Sequence, residues 1–161
     1  MFLIMCKKGL KSELLDRRIT GMKELNQLVR KISPIGNMDT DKFEFLVQWM
    51  KENEVFDIIW NWRNTHLQLV QRSDQIFKEL LRNKLLTTDL LGMFFNLTRS
   101  EEYRVEVFKI LNENAFWFEE AEIEFIFGEI MKTPPAKLGL EEFETLSQLG
   151  KSLRAGNGNF Q

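Results

Sequence analysis

Apolar residues recur along most of this chain at the spacing of an α-helix. In the segment KSELLDRRITGMKELNQLVRKISP they fall three or four positions apart, at Leu15, Ile19, Met22, Leu25, Leu28, Val29 and Ile32. Similar spacing returns in THLQLVQRSDQIFKELLRN, which predicts one long helix, and in the segments that follow it. No segment sustains the apolar–polar alternation of a half-buried strand, so the pattern predicts an all-α fold.

Some of these predicted helices carry apolar residues over an unusually wide arc. On a helical wheel the apolar residues of FEFLVQWMKE spread over roughly 200°, whereas an ordinary surface helix buries an arc of about 100°. They are Phe43, Phe45, Leu46, Val47, Trp49 and Met50. Such a helix must contact neighbours on two sides.

Asparagine interrupts the apolar pattern at Asn53, Asn83 and Asn114, about 30 residues apart. Asparagine tolerates the left-handed backbone region, so we expect each one to end a helix as its C′ residue. The apolar pair after each stop would fold back onto the last helical turn. These pairs are Val55 and Phe56, Leu85 and Leu86, and Phe116 and Trp117. Coincidence is the alternative, since asparagine is frequent in this chain.

Wide apolar arcs and regular stops together predict helical hairpins stacked in series. We therefore expect an armadillo/HEAT-like superhelix of about seven to eight helices, rather than a closed four-helix bundle. The helical-repeat domain is expected to be single and to cover residues 12–153. Residues 1–11 are expected to form an N-terminal tail, and residues 154–161 a flexible C-terminal tail.

Local signals mark the expected helix ends. The expected N-caps are Ser12, Asp41, Thr87 or Thr88, Ser100 and Glu119. Ser33 and Pro34 should end the first long helix, because the residue before a proline avoids the α region, and a loop SPIGNMDTD should follow. Gly21 inside that helix costs up to about 1 kcal/mol, which close packing against a neighbour would rationalise.

Composition indicates a soluble globular protein. Hydrophobic residues make up 43% and charged residues 29% of the 161 residues. The apolar opening MFLIMC is too short for a secretory signal or a membrane span. Cys6 is the only cysteine, which excludes a disulfide framework and is compatible with a reduced, cytoplasmic location.

Charge is distributed unevenly along the chain. Residues 1–35 carry a net charge of +5, and residues 100–150 carry a net charge of −8. An acidic surface repels phosphates, so we expect no nucleic-acid partner, and no membrane partner is expected either. A solvated polar face on each helix is the alternative explanation of these charges.

The sequence shows no recognisable active site. Cys6 and His66 are the only residues of their types, and neither belongs to a catalytic or metal-ligand spacing. No glycine-rich nucleotide loop is present. The carboxylates of the acidic helix FEEAEIEFIFGEIMK lie on a mostly polar face and are best explained as solvated charges: Glu119, Glu120, Glu122 and Glu124. We therefore expect no catalytic residue, no cofactor and no metal.

Aromatic residues at helix junctions are the candidate contacts for a protein partner. Trp60, Trp62 and Arg63 lie in one junction and Trp117 in another, and tryptophan and arginine dominate binding hot spots. Core packing at the junctions is the alternative. Phe125 falls on the polar side of its helix wheel and is either a second-layer contact or an exposed anchor. The expected buried side of that helix is formed by Ile123, Ile126, Phe127 and Ile130.

Two passages resemble a known family beyond their periodicity. They are RRITGMKELNQLVRKI and, more strongly, FLVQWMKENEVFDIIW followed by THLQLVQRSDQIFKELLRNKLLTTDLL. They are similar to the helical region upstream of the catalytic domain in large ubiquitin-specific proteases (ubiquitin carboxyl-terminal hydrolases) of the fat-facets type. EEAEIEFIFGEI and LGLEEFETLSQLGKSL fit more loosely, so the resemblance covers residues 14–153.

The resemblance implies a scaffold rather than an enzyme. Members of that family are thiol proteases that remove ubiquitin with a cysteine box and a distant histidine box, and this chain has neither box, so no catalytic residue is carried over. The expected function is that of a non-catalytic scaffold segment of a deubiquitinase, which binds substrates or adaptors and continues into further repeats and a catalytic domain. A stand-alone armadillo/HEAT-type adaptor unrelated to ubiquitin is the alternative.

Overall fold

A computed structural model describes residues 2–32 and 39–158 of this chain. Within those residues all regular structure is helical and no strand occurs, which confirms the all-α prediction. None of the helices there has the length and apolar character needed to cross a membrane. The predicted helix end at Ser33 and Pro34, and most of the loop after it, lie outside the described residues. The chain groups into two compact units, residues 1–86 and 87–161.

The first unit is arranged around a long central helix. Its helices are α1 (Phe2–Leu10), α2 (Leu15–Ile32), α3 (Thr40–Glu52), α4 (Val55–Ile59), α5 (Leu67–Arg72) and α6 (Asp74–Arg82). Helix α2 contacts α1, α3, α5 and α6. The core of this unit therefore forms around α2.

Two glycines allow α1 to lie very close to α2. A Cβ atom on Gly21 would lie 3.0 Å from the carbonyl oxygen of Cys6 and 3.0 Å from the amide nitrogen of Leu10. A Cβ atom on Gly9 would lie 3.3 Å from the Cα of Gly21. The close packing expected at Gly21 is confirmed. Residues 1–11, expected to be a tail, instead contain a helix with Cys6 and Leu10 buried against α2.

The predicted long helix after His66 is broken in two at Ser73. The Ser73 hydroxyl donates to the carbonyl of Val70 at 2.7 Å and accepts from the indole N–H of Trp60 at 3.0 Å. The side-chain amide of Asn26 donates to the adjacent carbonyl of Arg72 at 2.8 Å. Side chains thus supply hydrogen-bond donors to the backbone carbonyls of Val70 and Arg72 at the point where the helix is interrupted.

Asparagine ends three helices, but not in the conformation that the sequence predicted. Asn53, Asn83 and Asn114 have φ angles of −100°, −93° and −109°, so none is left-handed and the C′ assignment is wrong. Each side-chain amide instead donates to the carbonyl four residues earlier, at 2.8, 2.7 and 2.8 Å. Asparagine is therefore the C-cap, and the left-handed residue follows it at Glu54 (φ 57°) and Lys84 (φ 58°).

Three of the four residues in the apolar pairs after the first two stops are buried and Leu85 is partly exposed, whereas the pair after the third stop is exposed. The buried residues after the first two are Val55, Phe56 and Leu86. Asn114 is followed by a 3-10 helix, Ala115–Trp117, rather than by a left-handed residue. Because a 3-10 helix has about three residues per turn, Ala115 and Phe118 share its buried side. Phe116 and Trp117 remain exposed, so the prediction that they fold back is wrong.

The apolar arc of α3 is only partly covered. Its buried residues are Phe43, Leu46, Val47 and Met50. Phe45 is 69% exposed and Trp49 is partly exposed, so the described residues do not supply the expected second neighbour on that side. The helix also begins earlier than predicted, since Asp39 rather than Asp41 is the N-cap and accepts from the amide of Lys42 at 3.2 Å.

The second unit consists of helices in which alternate elements contact each other. Its elements are α7 (Thr88–Asn96), α8 (Glu101–Glu113), α9 (Glu120–Met131), α10 (Leu140–Gly158) and 3-10 helices at Leu97–Arg99, Ala115–Trp117 and Pro135–Lys137. Helix α7 contacts α9, and α8 contacts α10. Thr87 caps α7 as predicted, with its hydroxyl accepting from the amide of Leu90 at 3.3 Å. Helix α10 extends through residues 154–158, part of the expected C-terminal tail.

Three polar contacts show that α8 and α10 run parallel. They join Arg104 to Glu142 at 2.9 Å, Asn112 to Thr145 at 2.8 Å and, just beyond α8, Ala115 to Ser152 at 2.8 Å. Residue numbers rise together along both partners, so the two helices point the same way. These contacts are spread along α8 and fix its register against α10.

The left-handed residue after Asn53 gives a test of how this helix end is built. Glu54→Gly should raise the free energy of unfolding by about 1 kcal/mol, because glycine adopts positive φ without steric conflict between Cβ and the backbone. Glu44→Gly in the middle of α3 is the matched control, and it should lower the free energy of unfolding by a similar amount. Both are measured by urea denaturation; a loss of stability in Glu54→Gly would contradict the left-handed assignment.

Candidate functional site

Trp60 is a core residue and not a surface contact. Its side chain is 1% exposed, and its indole nitrogen donates to Ser73 inside the first unit. Its ring centroid lies 5.2 Å from that of Phe56 and 6.4 Å from that of Phe77. A side chain so buried offers no surface to another protein, so the prediction of a partner contact at Trp60 is wrong. Core packing, the alternative, holds for this residue.

Trp62 and Arg63 form a cation–π pair in the same junction. The guanidinium carbon of Arg63 lies 5.1 Å from the Trp62 ring centroid. Trp62 is partly exposed and Arg63 is exposed. The side chain of Asn61 accepts from the amide of Arg63 at 3.1 Å, which shapes the loop. A planar cation stacked on an indole is a surface able to contact aromatic or acidic groups of a partner.

The most exposed aromatic pair lies on the 3-10 helix Ala115–Trp117. Phe116 is 75% exposed and Trp117 is 50% exposed, whereas Ala115 beside them is buried. The backbone here is held from two directions. The amide of Trp117 donates to the carbonyl of Asn114 at 3.0 Å, and the hydroxyl of Ser152 donates to the carbonyl of Ala115 at 2.8 Å. The pair is therefore presented on a rigid backbone.

Sequence reasoning named Trp117 as a contact but missed Phe116. The available signal was the spacing of Ala115 and Phe118. A turn of three residues places these two on one side of the helix and leaves the two residues between them on the outside. The apolar pattern instead predicted that Phe116 and Trp117 fold back onto the last helical turn, so this spacing was not considered.

Phe125 and Phe127 exchange the positions that the helix wheel gave them. Phe125 is partly buried, and a Cβ atom on Gly92 of α7 would lie 3.6 Å from its ring. Phe125 is thus a second-layer contact, one of the two alternatives. Phe127 is half exposed, so the prediction that it lies on the buried side of α9 is wrong. Packing against α7 covers the Phe125 side of α9.

Cys6 is buried in the contact between α1 and α2 rather than in a tail. Its thiol donates to a carboxylate oxygen of Glu24 at 3.6 Å. Burial, the charge of Glu24 and this hydrogen bond raise the pKa of Cys6 to about 12. The nucleophilic form of cysteine is the thiolate, which this environment disfavours strongly.

His66 has a structural role. It is the N-cap of α5, and its Nδ1 atom accepts from the amide of Gln68 at 3.1 Å. The nitrogen used for the cap is not available to accept a proton from a nucleophile without losing that bond.

A buried ion pair joins α8 to the start of α10. Arg104 contacts both carboxylate oxygens of Glu142, and the amide of Gly139 donates to the same carboxylate at 2.8 Å. Glu141 lies 3.4 Å from the guanidinium. Burial raises the pKa of Glu142, but hydrogen bonds from Arg104 and from the backbone outweigh it and place that pKa below its usual range. The pair is an ionic link between helices.

A cleft of about 440 Å³ lies between α1, α2 and α3. Its apolar lining consists of Phe2, Leu3, Leu28, Ile32, Phe45 and Leu46. Asp41 and Lys42 are its charged residues, and the described residues that line it include no thiol, hydroxyl or imidazole group. The cleft can accommodate apolar groups. Across residues 2–32 and 39–158, no three His, Cys, Asp or Glu side chains are placed to hold a metal ion.

No protein-family model, curated protein or solved structure matches this chain. The resemblance to ubiquitin-specific proteases therefore stays an expectation from the sequence.

The burial of Cys6 predicts an unreactive thiol. In the folded protein, labelling by a thiol reagent at pH 8 should be at least about a hundredfold slower than in denaturant, because both access and thiolate fraction are reduced. The reagent is an aromatic disulfide that releases a coloured thiolate when it reacts. Because the chain has a single cysteine, the absorbance of that thiolate reports the reaction of Cys6 alone. The denatured protein is the control, and rapid labelling in native buffer would contradict the assignment.

The ion pair predicts a pH-dependent stability. Glu142→Gln should lower the free energy of unfolding by roughly 2 kcal/mol at neutral pH, because it leaves Arg104 without its charged partner. The pKa of Glu142 is lower in the folded state, so its contribution to the free energy of unfolding is full above the ordinary glutamate pKa near 4.3. It is lost as pH falls from that value through the lower folded-state pKa.

The difference between wild type and Glu142→Gln should therefore narrow below about pH 4, as measured by denaturant unfolding at several pH values. Glu101→Gln is the matched control, because the exposed Glu101 carboxylate lies 4.0 Å from the same guanidinium. Its effect should stay within about 0.5 kcal/mol. A difference that is constant across the pH range would exclude the ionised Glu142 as the cause.

Proposed function

We propose that this chain is a non-catalytic scaffold segment that binds other proteins. The exposed pair Phe116 and Trp117 carries the proposal, because aromatic side chains on a rigid backbone bind with little loss of conformational entropy. Trp62 with Arg63 supplies a second candidate contact, in the first unit. The buried thiol of Cys6 and the capping role of His66 support a binding rather than a catalytic role.

The proposal includes an armadillo/HEAT-like arrangement of stacked helical hairpins. Its support is the pairing of alternate helices in the second unit, where α7 contacts α9 and α8 contacts α10. Parallel packing of α8 and α10 is the relation expected between equivalent helices of successive hairpins. Stacked hairpins leave an outer ridge open to partners, which fits a scaffold.

We further propose that the parent protein is a cytoplasmic ubiquitin carboxyl-terminal hydrolase of the fat-facets type. The support is the resemblance of FLVQWMKENEVFDIIW and THLQLVQRSDQIFKELLRNKLLTTDLL to the helical region of that family. In this proposal the segment holds substrates or adaptors for a catalytic domain elsewhere in the protein.

The alternative is a stand-alone armadillo/HEAT-type adaptor with no link to ubiquitin. The same exposed aromatic residues would serve it equally well. The gene sequence downstream of Gln161 separates the two, because a cysteine-box domain there would support the deubiquitinase and its absence would favour the adaptor.

The exposed aromatic pair can be tested by partner binding. Proteins retained by the immobilised chain are identified first. The affinity of the chain for one purified partner is then measured by calorimetry. The double substitution Phe116→Ala with Trp117→Ala should weaken that affinity at least about tenfold, because hot-spot aromatics contribute about 2 kcal/mol or more each. Its unfolding midpoint should change little, since both side chains are largely in solvent.

Leu140→Ala is the matched control, because Leu140 is an equally exposed apolar residue in the same unit. It should leave the affinity unchanged. Affinity that falls equally in both variants, or in neither, would remove the aromatic pair as the binding surface.

A further inference from the structure

Helix α9 carries an exposed seam that no described residue of its own unit covers. Glu120, Glu124, Phe127 and Met131 are all exposed and follow the spacing i, i+4, i+7, i+11. On a helical wheel they fall within roughly 60°. We call these four residues the α9 seam; it is acidic at the start of the helix and apolar at its end. Such spacing is typical of a helix that packs against another helix.

Gly128 beside the α9 seam gives independent support for a missing neighbour. Glycine in the middle of a helix costs about 1 kcal/mol relative to alanine. At Gly21 that cost is explained by the close approach of α1, but no other described element places an atom within 4 Å of a Cβ atom built on Gly128. A second helix could cross close to the α9 backbone between Phe127 and Met131, because Gly128 has no side chain to keep it away.

Helix α1 carries a complementary exposed seam. Ile4, Met5 and Lys8 are exposed on the side of α1 away from α2. Lys11 continues this side, since its amide donates to the carbonyl of Lys7 at 3.0 Å in a helical pattern. We call Ile4, Met5, Lys8 and Lys11 the α1 seam; it is apolar at the start of the helix and basic at its end.

We propose that the α1 seam of one copy of this chain docks antiparallel on the α9 seam of a second copy. Antiparallel packing places the lysine end of the α1 seam against the glutamate end of the α9 seam, and the two apolar ends against each other. It also opposes the two helix dipoles, which is favourable. The α1 seam fits within the length of the α9 seam, since it spans about 11 Å and the α9 seam about 16 Å at 1.5 Å per residue.

The wider charge distribution favours this pairing. Net charges of +5 over residues 1–35 and −8 over residues 100–150 attract the first part of one copy to the later part of another. Such complementarity increases the rate of encounter and selects the orientation. A helix of nine residues buries less than the roughly 800 Å² per partner of a stable complex, so the association is weak and reversible. It uses a surface other than Phe116 and Trp117 and does not depend on the proposed function.

Sedimentation of the full chain tests the association. Between about 10 μM and 1 mM at low salt, the weight-average mass should rise with concentration, and about 0.5 M salt should reduce the effect. A mass that stays that of the monomer throughout would overturn the proposal.

Charge reversal identifies the two seams. Lys8→Glu with Lys11→Glu, and separately Glu120→Lys with Glu124→Lys, should each weaken self-association about tenfold or more, because like charges then face each other. An equimolar mixture of the two double variants should associate again, since the reversed α1 seam then meets a reversed α9 seam. Failure of the mixture to associate would overturn the pairing.

The matched control reverses charges outside both seams. Lys23→Glu with Glu102→Lys, at exposed sites on α2 and α8, should leave self-association within about twofold of wild type. Equal weakening in this control would show a general charge effect and overturn the assignment of the seams. Circular dichroism checks that every variant keeps its helical content.

Discussion

Apolar burial around a wide arc of each helix is the constraint on which the rest of this structure depends. In α8 the buried residues span roughly 160° of the helical wheel, more than one neighbour covers. They are Tyr103, Val107, Phe108, Ile110 and Leu111. Helices as short as α4, with five residues, are unstable alone and form here because their neighbours bury them. Packing between helices, rather than helix propensity, therefore stabilises both units.

Polar side chains bond the backbone carbonyls that are left without an amide donor where helices end inside this packing. A carbonyl released at a helix end costs free energy unless it meets a donor. The side-chain amide of Asn114 supplies that donor to Ile110 at the end of α8, and Asn26 supplies one to Arg72 at the break between α5 and α6. At Asn53 and Asn83 the side-chain amide adds a second hydrogen bond to a carbonyl that already accepts from the backbone amide of the same residue. Asparagine, a poor helix former, thus occupies the positions at which these helices end. Their side-chain amides bond backbone carbonyls where the chain turns.

The sequence predicted features that depend on neighbouring residues and missed those that depend on distant ones. Periodicity located the helices, and the cap at Thr87 was predicted because its partner is three residues away. The break at Ser73 was missed because the indole that donates a hydrogen bond to Ser73 belongs to Trp60, the C-cap residue of α4. Trp60 and Trp117 occupy similar junctions in the sequence, yet only the fold shows that one is core and the other exposed. Phe45 was misplaced because a wheel shows an apolar arc and not what covers it.

The placement of the tryptophans has a spectroscopic consequence. Trp117 is the one tryptophan in the sequence of residues 87–161, whereas Trp49, Trp60 and Trp62 belong to residues 1–86. The exposed indole of Trp117 emits at longer wavelength and is accessible to a soluble quencher, while the enclosed indole of Trp60 is shielded from it. Intrinsic fluorescence therefore distinguishes the melting of the two units within one molecule and requires no added dye.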